Sequence, residues 1–72
     1  LVFKIKTVYD VQQLLKRFGI IIYVGERLLD LELMESEIKD LYKTGLIQKD
    51  DFQKALLVLR MEIGKEKSRG KG

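Results

Sequence analysis

Glu32, Glu35, Glu37 and Asp40 form the densest collection of carboxylates in this sequence. Carboxylates gathered so closely can hold a divalent cation or exchange a proton with a substrate. Their spacing argues against both. On a helix these four fan around the outside, and the stretch opened by Asp30 lacks the alternating ligands and the glycine of a calcium loop. The rest of the inventory points the same way: Cys and His are absent, which removes thiolate and imidazole metal ligands and the commonest acid–base group. Ser36 stands among acids and Ser68 in a basic run, neither beside an evident base. Gly19, Gly25, Gly45 and Gly64 are spaced as punctuation rather than as a phosphate-cradling loop. The expectation is a protein that is not an enzyme, with no cofactor, no metal and no small-molecule substrate.

Binding chemistry is better represented. On a helical wheel Tyr9, Gln12, Gln13 and Lys16 share one face, with Arg17 beside them, and Tyr23 and Arg27 extend that surface if the chain folds back. An aromatic ring can stack on an unpaired base, amides can bond its edge, and Lys or Arg can neutralise the backbone. Tyr9, Gln13, Lys16, Arg17, Tyr23 and Arg27 are therefore the candidate contacts to single-stranded RNA or DNA. The plainer alternative is that the tyrosines are half-buried rings and the cations ordinary solvent contacts. A second surface lies near the C-terminus. Leu57, Val58 and Met61 add apolar residues around a helix that already has a buried stripe, so they are candidates for a subunit interface in a homo-oligomer. A helix-turn-helix DNA reader fits poorly, because Asp50 and Asp51 would lead its second helix toward phosphate.

Three helices position these groups. Val8, Val11, Leu15 and Phe18 mark the first, near residues 8–18, with Thr7 and Asp10 in capping-box spacing and Gly19 as its stop. Leu31, Met34, Ile38, Leu41 and Tyr42 mark the second, near 30–44, with Asp30 expected at its N-cap and Gly45 in a left-handed conformation at its end. Leu46 comes next, placed to touch Leu41. Phe52, Ala55, Leu56, Leu59 and Ile63 mark the third, near 49–63. Its connection to the second is short enough to make an antiparallel hairpin. The β-branched run from Ile20 to Val24 suits an extended connector. The alternative is a two-stranded ribbon with Phe3 to Thr7, which a single pairing would leave marginal.

Seventy-two residues hold one small core, so the expected fold is an all-α three-helix bundle with a C-terminal antiparallel helical hairpin. The expected organisation is an extended N-terminal segment at 1–6, the bundle at 7–64 and a disordered basic tail at 65–72. The net charge of +3 belongs to the ends, since residues 7–64 carry eight basic and ten acidic groups. A basic tail can attract phosphate without sequence preference, though such runs more commonly keep a chain soluble. No apolar stretch nears the roughly 20 residues of a membrane span, and no charged leader with a small-residue cleavage site is expected ahead of the domain. With no disulfides, the expected compartment is the cytoplasm.

Tyr9-Asp10-Val11-Gln12-Gln13-Leu14-Leu15, Phe18-Gly19, Ile22-Tyr23, Gly25, Arg27, Asp30-Leu31-Glu32-Leu33-Met34-Glu35, Leu41-Tyr42, Gly45-Leu46-Ile47, Phe52 and Ala55 together resemble the YqgQ-like proteins, short bacterial cytosolic chains. The likeness covers about residues 7–63. It implies a three-helix bundle and, for function, single-stranded nucleic-acid binding. A looser likeness of Glu37 to Leu59 to short helical hairpins appended to other bacterial proteins implies self-association. Both expectations are those of a small non-enzymatic binding protein: the first takes single-stranded nucleic acid, the alternative is a protein-interaction or self-assembly module.

Overall fold

The computed structural model describes residues 4–70, which form three helices in chain order: α1 at Val8–Arg17, α2 at Arg27–Lys43 and α3 at Lys49–Gly70. No strand occurs among the described residues. Ile20 to Val24 is an irregular connector, while Phe3 of the alternative ribbon lies outside the described residues. Val11, Leu14, Leu15, Leu31, Met34, Ile38 and Leu59 are the largest fully buried side chains, drawn from all three helices. One all-α core thus explains why 3.6-residue periodicity dominates the sequence.

The cap of α1 is the one its residue types predict. Asp10 N–H donates to Thr7 Oγ1 at 3.2 Å, and the Asp10 carboxylate accepts from the N–H of Lys6 at 2.9 Å and of Thr7 at 3.1 Å. That bond to Lys6 also fixes the segment ahead of the helix, where Ile5 is buried in the core. The bundle therefore begins before Thr7.

The start of α2 corrects the expected cap. Asp30 lies in the first turn, not at the N-cap, which is Glu26. Gly25, at φ +84°, turns the chain sharply there, and the Glu26 carboxylate accepts from Leu28 N–H at 2.9 Å and Leu29 N–H at 3.1 Å. Asp30 is thereby released for another task. It is 7% exposed and accepts the Val24 N–H at 2.7 Å, tying the connector to α2.

Two helix ends share one geometry. At α2, Gly45 N–H reaches Tyr42 C=O at 3.0 Å and Leu46 N–H reaches Leu41 C=O at 2.9 Å; at α1, Gly19 N–H reaches Lys16 C=O at 2.9 Å and Ile20 N–H reaches Leu15 C=O at 3.1 Å. Both are Schellman closures, and both glycines sit at φ +76°. After Gly45 the chain enters α3 almost at once. Tyr42 and Phe52 stack across that turn, ring centroids 4.2 Å apart, and Arg27 meets Glu62 at 3.9 Å at the far end, so α2 and α3 are antiparallel.

The end of α3 is the second correction. A stop near Ile63 and a disordered segment from Lys65 were expected, yet the helix runs through Gly64 to Gly70. A helical glycine costs about 1 kcal/mol relative to alanine. The ion pair Lys65–Glu62 at 3.5 Å spans that point, Arg69–Glu66 at 3.3 Å supports the turn after it, and the cations of the last turn favour the negative end of the helix dipole. Lys71 and Gly72 of the expected tail lie outside the described residues.

Candidate nucleic-acid interface

Helix α1 presents its polar face to two separate hollows. The first lies where α1 meets α2 and α3 and measures about 460 Å³. Tyr9, Val58 and Met61 give it aromatic and apolar walls, and Lys6, Arg27, Lys65 and Glu62 give it charge. Tyr9 is 64% exposed, so its ring is available for stacking. The cations arrive from three places: Lys6 through the capping box, Arg27 from the first turn of α2, and Lys65 from α3 beyond the expected helix end.

The second hollow lies at the other end of α1, measures about 190 Å³, and is lined by Gln12, Gln13 and Lys16 of the helix, by Ile20, Ile21 and Ile22 of the connector, and by Leu15 and Met34. Tyr9 faces Arg27 in one hollow while Lys16 faces Met34 in the other, so α1 and α2 run in the same direction. That arrangement requires a return path. Residues 18–26 supply it, since nine extended residues reach up to about 30 Å whereas α1 is about 15 Å long. Along this path Ile20 and Ile22 pack against the core, whereas Ile21 and Tyr23 face solvent, the alternation of an extended chain.

The six candidate contacts are thus divided. Tyr9 and Arg27 share the first hollow, Gln13 and Lys16 share the second, and Arg17 and Tyr23 line neither. Arg17 is exposed in the last turn of α1, and Tyr23, 83% exposed, stands on the connector beside the anchored Val24. The interface candidates divide too. Leu57 and Met61 are exposed, but Val58 packs against the core, and Val58 and Met61 line the same hollow as Tyr9. Lys6, Glu62 and Lys65 are the charged lining residues not anticipated from sequence. The signal for Lys65 was its position four residues after Met61, on the same face of a helix that continues.

Among the described residues no group of His, Cys, Asp or Glu is arranged to hold a metal ion, so the carboxylates of α2 do not converge. Glu35 instead pairs with Lys39 at 3.0 Å and with Arg60 of α3 at 3.5 Å. No described helix is long and apolar enough to cross a membrane.

The YqgQ-like family model matches residues 5–65, which takes in the buried Ile5, the hairpin and Lys65. The chain belongs to the YqgQ-like family. It is also 48% identical over 62 residues to the uncharacterised protein YqgQ of Bacillus subtilis (strain 168), an alignment covering 86% of this chain and 87% of that protein. Both hollows fall within the YqgQ-like region. The basic residues from Lys67 onward lie beyond it.

Proposed function

We propose that the protein is a non-enzymatic cytoplasmic binder of single-stranded nucleic acid, with its anchor at the larger hollow. One observation carries this: an exposed Tyr9 ring stands in a hollow rimmed by Lys6, Arg27 and Lys65. Stacking on a ring tolerates any base, and cations track the backbone, which together are the elements of sequence-independent strand binding. Duplex DNA offers no unstacked base to the ring.

Anisotropy titration of a labelled single strand tests the proposal. Tyr9→Ala is expected to weaken binding by about 1–3 kcal/mol, whereas Arg27→Ala is expected to lower the salt slope by about 0.7 per lost phosphate contact. Lys67→Ala combined with Arg69→Ala is the control, because these charges do not line the hollow. Unchanged binding by Tyr9→Ala, or a loss in the control equal to that in Arg27→Ala, would sink the proposal.

A second copy of the chain is the competing occupant, favoured by Leu57 and Met61, which are 62% and 57% exposed one turn apart on α3. Because Met61 lines the Tyr9 hollow, dimerisation there and strand binding are mutually exclusive. Sedimentation at micromolar concentration distinguishes them: a dimer that Leu57→Lys dissociates and that a single strand does not disturb favours the self-assembly reading.

A further inference from the structure

We propose that the smaller hollow, between α1 and the connector, is a pocket for one nucleobase, which makes the protein a discriminating binder rather than a purely electrostatic one. This rests on the single-strand reading above and adds a ligand class to a site that reading leaves unused. Three properties specify the occupant. At about 190 Å³ the hollow falls below the roughly 300–1,000 Å³ of pockets that enclose a drug-sized molecule, so it suits a single planar ring system and excludes a whole dinucleotide or coenzyme. Its lining is largely apolar, Ile20, Ile21 and Ile22 from the connector over the buried Leu15 and Met34 of the helices, which suits the face of a heterocycle. Its polar groups are two amides and one ammonium, Gln12, Gln13 and Lys16.

The amides decide between ligands. A carboxylate or phosphate ligand would be met by converging cations, whereas a glutamine offers a donor and an acceptor side by side. That pair matches a base edge, and adenine in particular, whose ring nitrogen and exocyclic amine a Gln can engage together. Lys16, on the same face as Gln12 and Gln13, is then placed for the phosphate of the nucleotide whose base is inside. Tyr9 stands seven residues earlier on α1, about 10 Å along the helix, so the strand would pass from the stacking ring to the pocket along one helix face.

The pocket depends on the connector staying where it is. Ile20 is held by its N–H to Leu15 C=O at 3.1 Å, and the far end of the run is held by Val24 N–H to Asp30 at 2.7 Å. Neither clamp involves Gln12 or Gln13, so substituting those exposed residues leaves the walls intact.

The test compares labelled single strands of poly-adenine, poly-thymine and an abasic backbone by anisotropy, with the full chain and with Gln13→Ala and Gln12→Ala. The expected result is that adenine binds on the order of tenfold tighter than the abasic strand, that one of the two variants removes that preference, and that the salt slope is unchanged. Equal affinity for all three strands, or a preference that survives both substitutions, overturns the pocket while leaving strand binding standing. If no strand binds, the function proposed above fails, and the pocket is then decided separately by adenosine monophosphate: methyl shifts at Ile20 and Ile22 support it, and their absence overturns it.

Discussion

Gly19 and Gly45 close their helices with the same pair of hydrogen bonds and the same φ of +76°, yet the chain does opposite things after them. After Gly45 it turns back immediately, and a stacked Tyr42–Phe52 pair locks an antiparallel hairpin. After Gly19 it travels the length of α1 in extended form and starts α2 in the same direction as α1. The closure therefore ends a helix without choosing the course of the chain beyond it. That course is set by the next few side chains: Lys49 to Asp51 restart a helix, whereas Ile20 to Val24 favour an extended backbone whose alternate residues seek the core. The long path creates an obligation that the short one avoids. An extended backbone without a partner strand must satisfy its N–H groups elsewhere, and Asp30 meets part of that need.

Asp30→Ala should therefore do the most damage to the long path while sparing the short one. It removes the charged, buried acceptor of the Val24 N–H, for a loss of about 1–3 kcal/mol measured by urea denaturation. Asp30→Asn keeps an acceptor and is expected to recover part of the loss. The damage should be local to one side: amide exchange is expected to quicken at Ile20 to Val24 while the stacked hairpin holds its protection. Uniform acceleration across α2 and α3 would show that the connector and hairpin are one cooperative unit.

Alanine at each closure asks how alike the two helix ends are in energy. A Cβ added at Gly19 or Gly45 meets no atom within 4 Å, so an alanine is penalised by backbone conformation alone. Gly19→Ala and Gly45→Ala are each expected to cost about 1–2 kcal/mol by the same denaturation measurement, and by similar amounts. Unequal costs would mean that the connector relaxes where the hairpin does not.

These residues also mark where the sequence was legible. Thr7, Asp10, Gly19 and Gly45 are local signals, each acting within a few residues, and each appears in the structure as its type dictates. The apolar stripes placed the core for the same reason. The errors arose where local rules had a competitor. Asp30 has the residue type and position of an N-cap, but Gly25 and Glu26 begin the helix earlier and a distant amide recruits the carboxylate. Gly64 looks like a stop, but one ion pair spanning it and another in the turn after it carry the helix through. The two hollows were less visible still. Their walls come from pieces far apart in sequence, and no periodicity records that Lys6 and Lys65 meet beside Tyr9.

A subtler effect separates the two hollows by pH. The Asp10 carboxyl is held below its ordinary 3.8 chiefly by the hydrogen bond from Lys6 N–H; the N–H and hydroxyl of Thr7 and the charge of Lys4 act the same way, against a partial loss of solvent. Because the folded value lies below the unfolded one, the stabilisation is complete above pH 3.8 and is lost as pH falls through the folded value. Protonation weakens both backbone bonds that hold Lys6 and Thr7, so the first turn of α1 is expected to loosen at the rim of the Tyr9 hollow. The connector hollow, at the other end of α1, contains no carboxylate and is expected to keep its shape. Backbone amide spectra over an acid titration check this, with Lys6, Thr7 and Tyr9 shifting together while Ile20 and Ile22 stay in place. Asp10→Asn should abolish that concerted shift, because an amide does not titrate and leaves the cap in one state throughout. If Ile20 and Ile22 move in step with Lys6, the two ends of α1 are coupled through the helix, and the separation of the hollows fails.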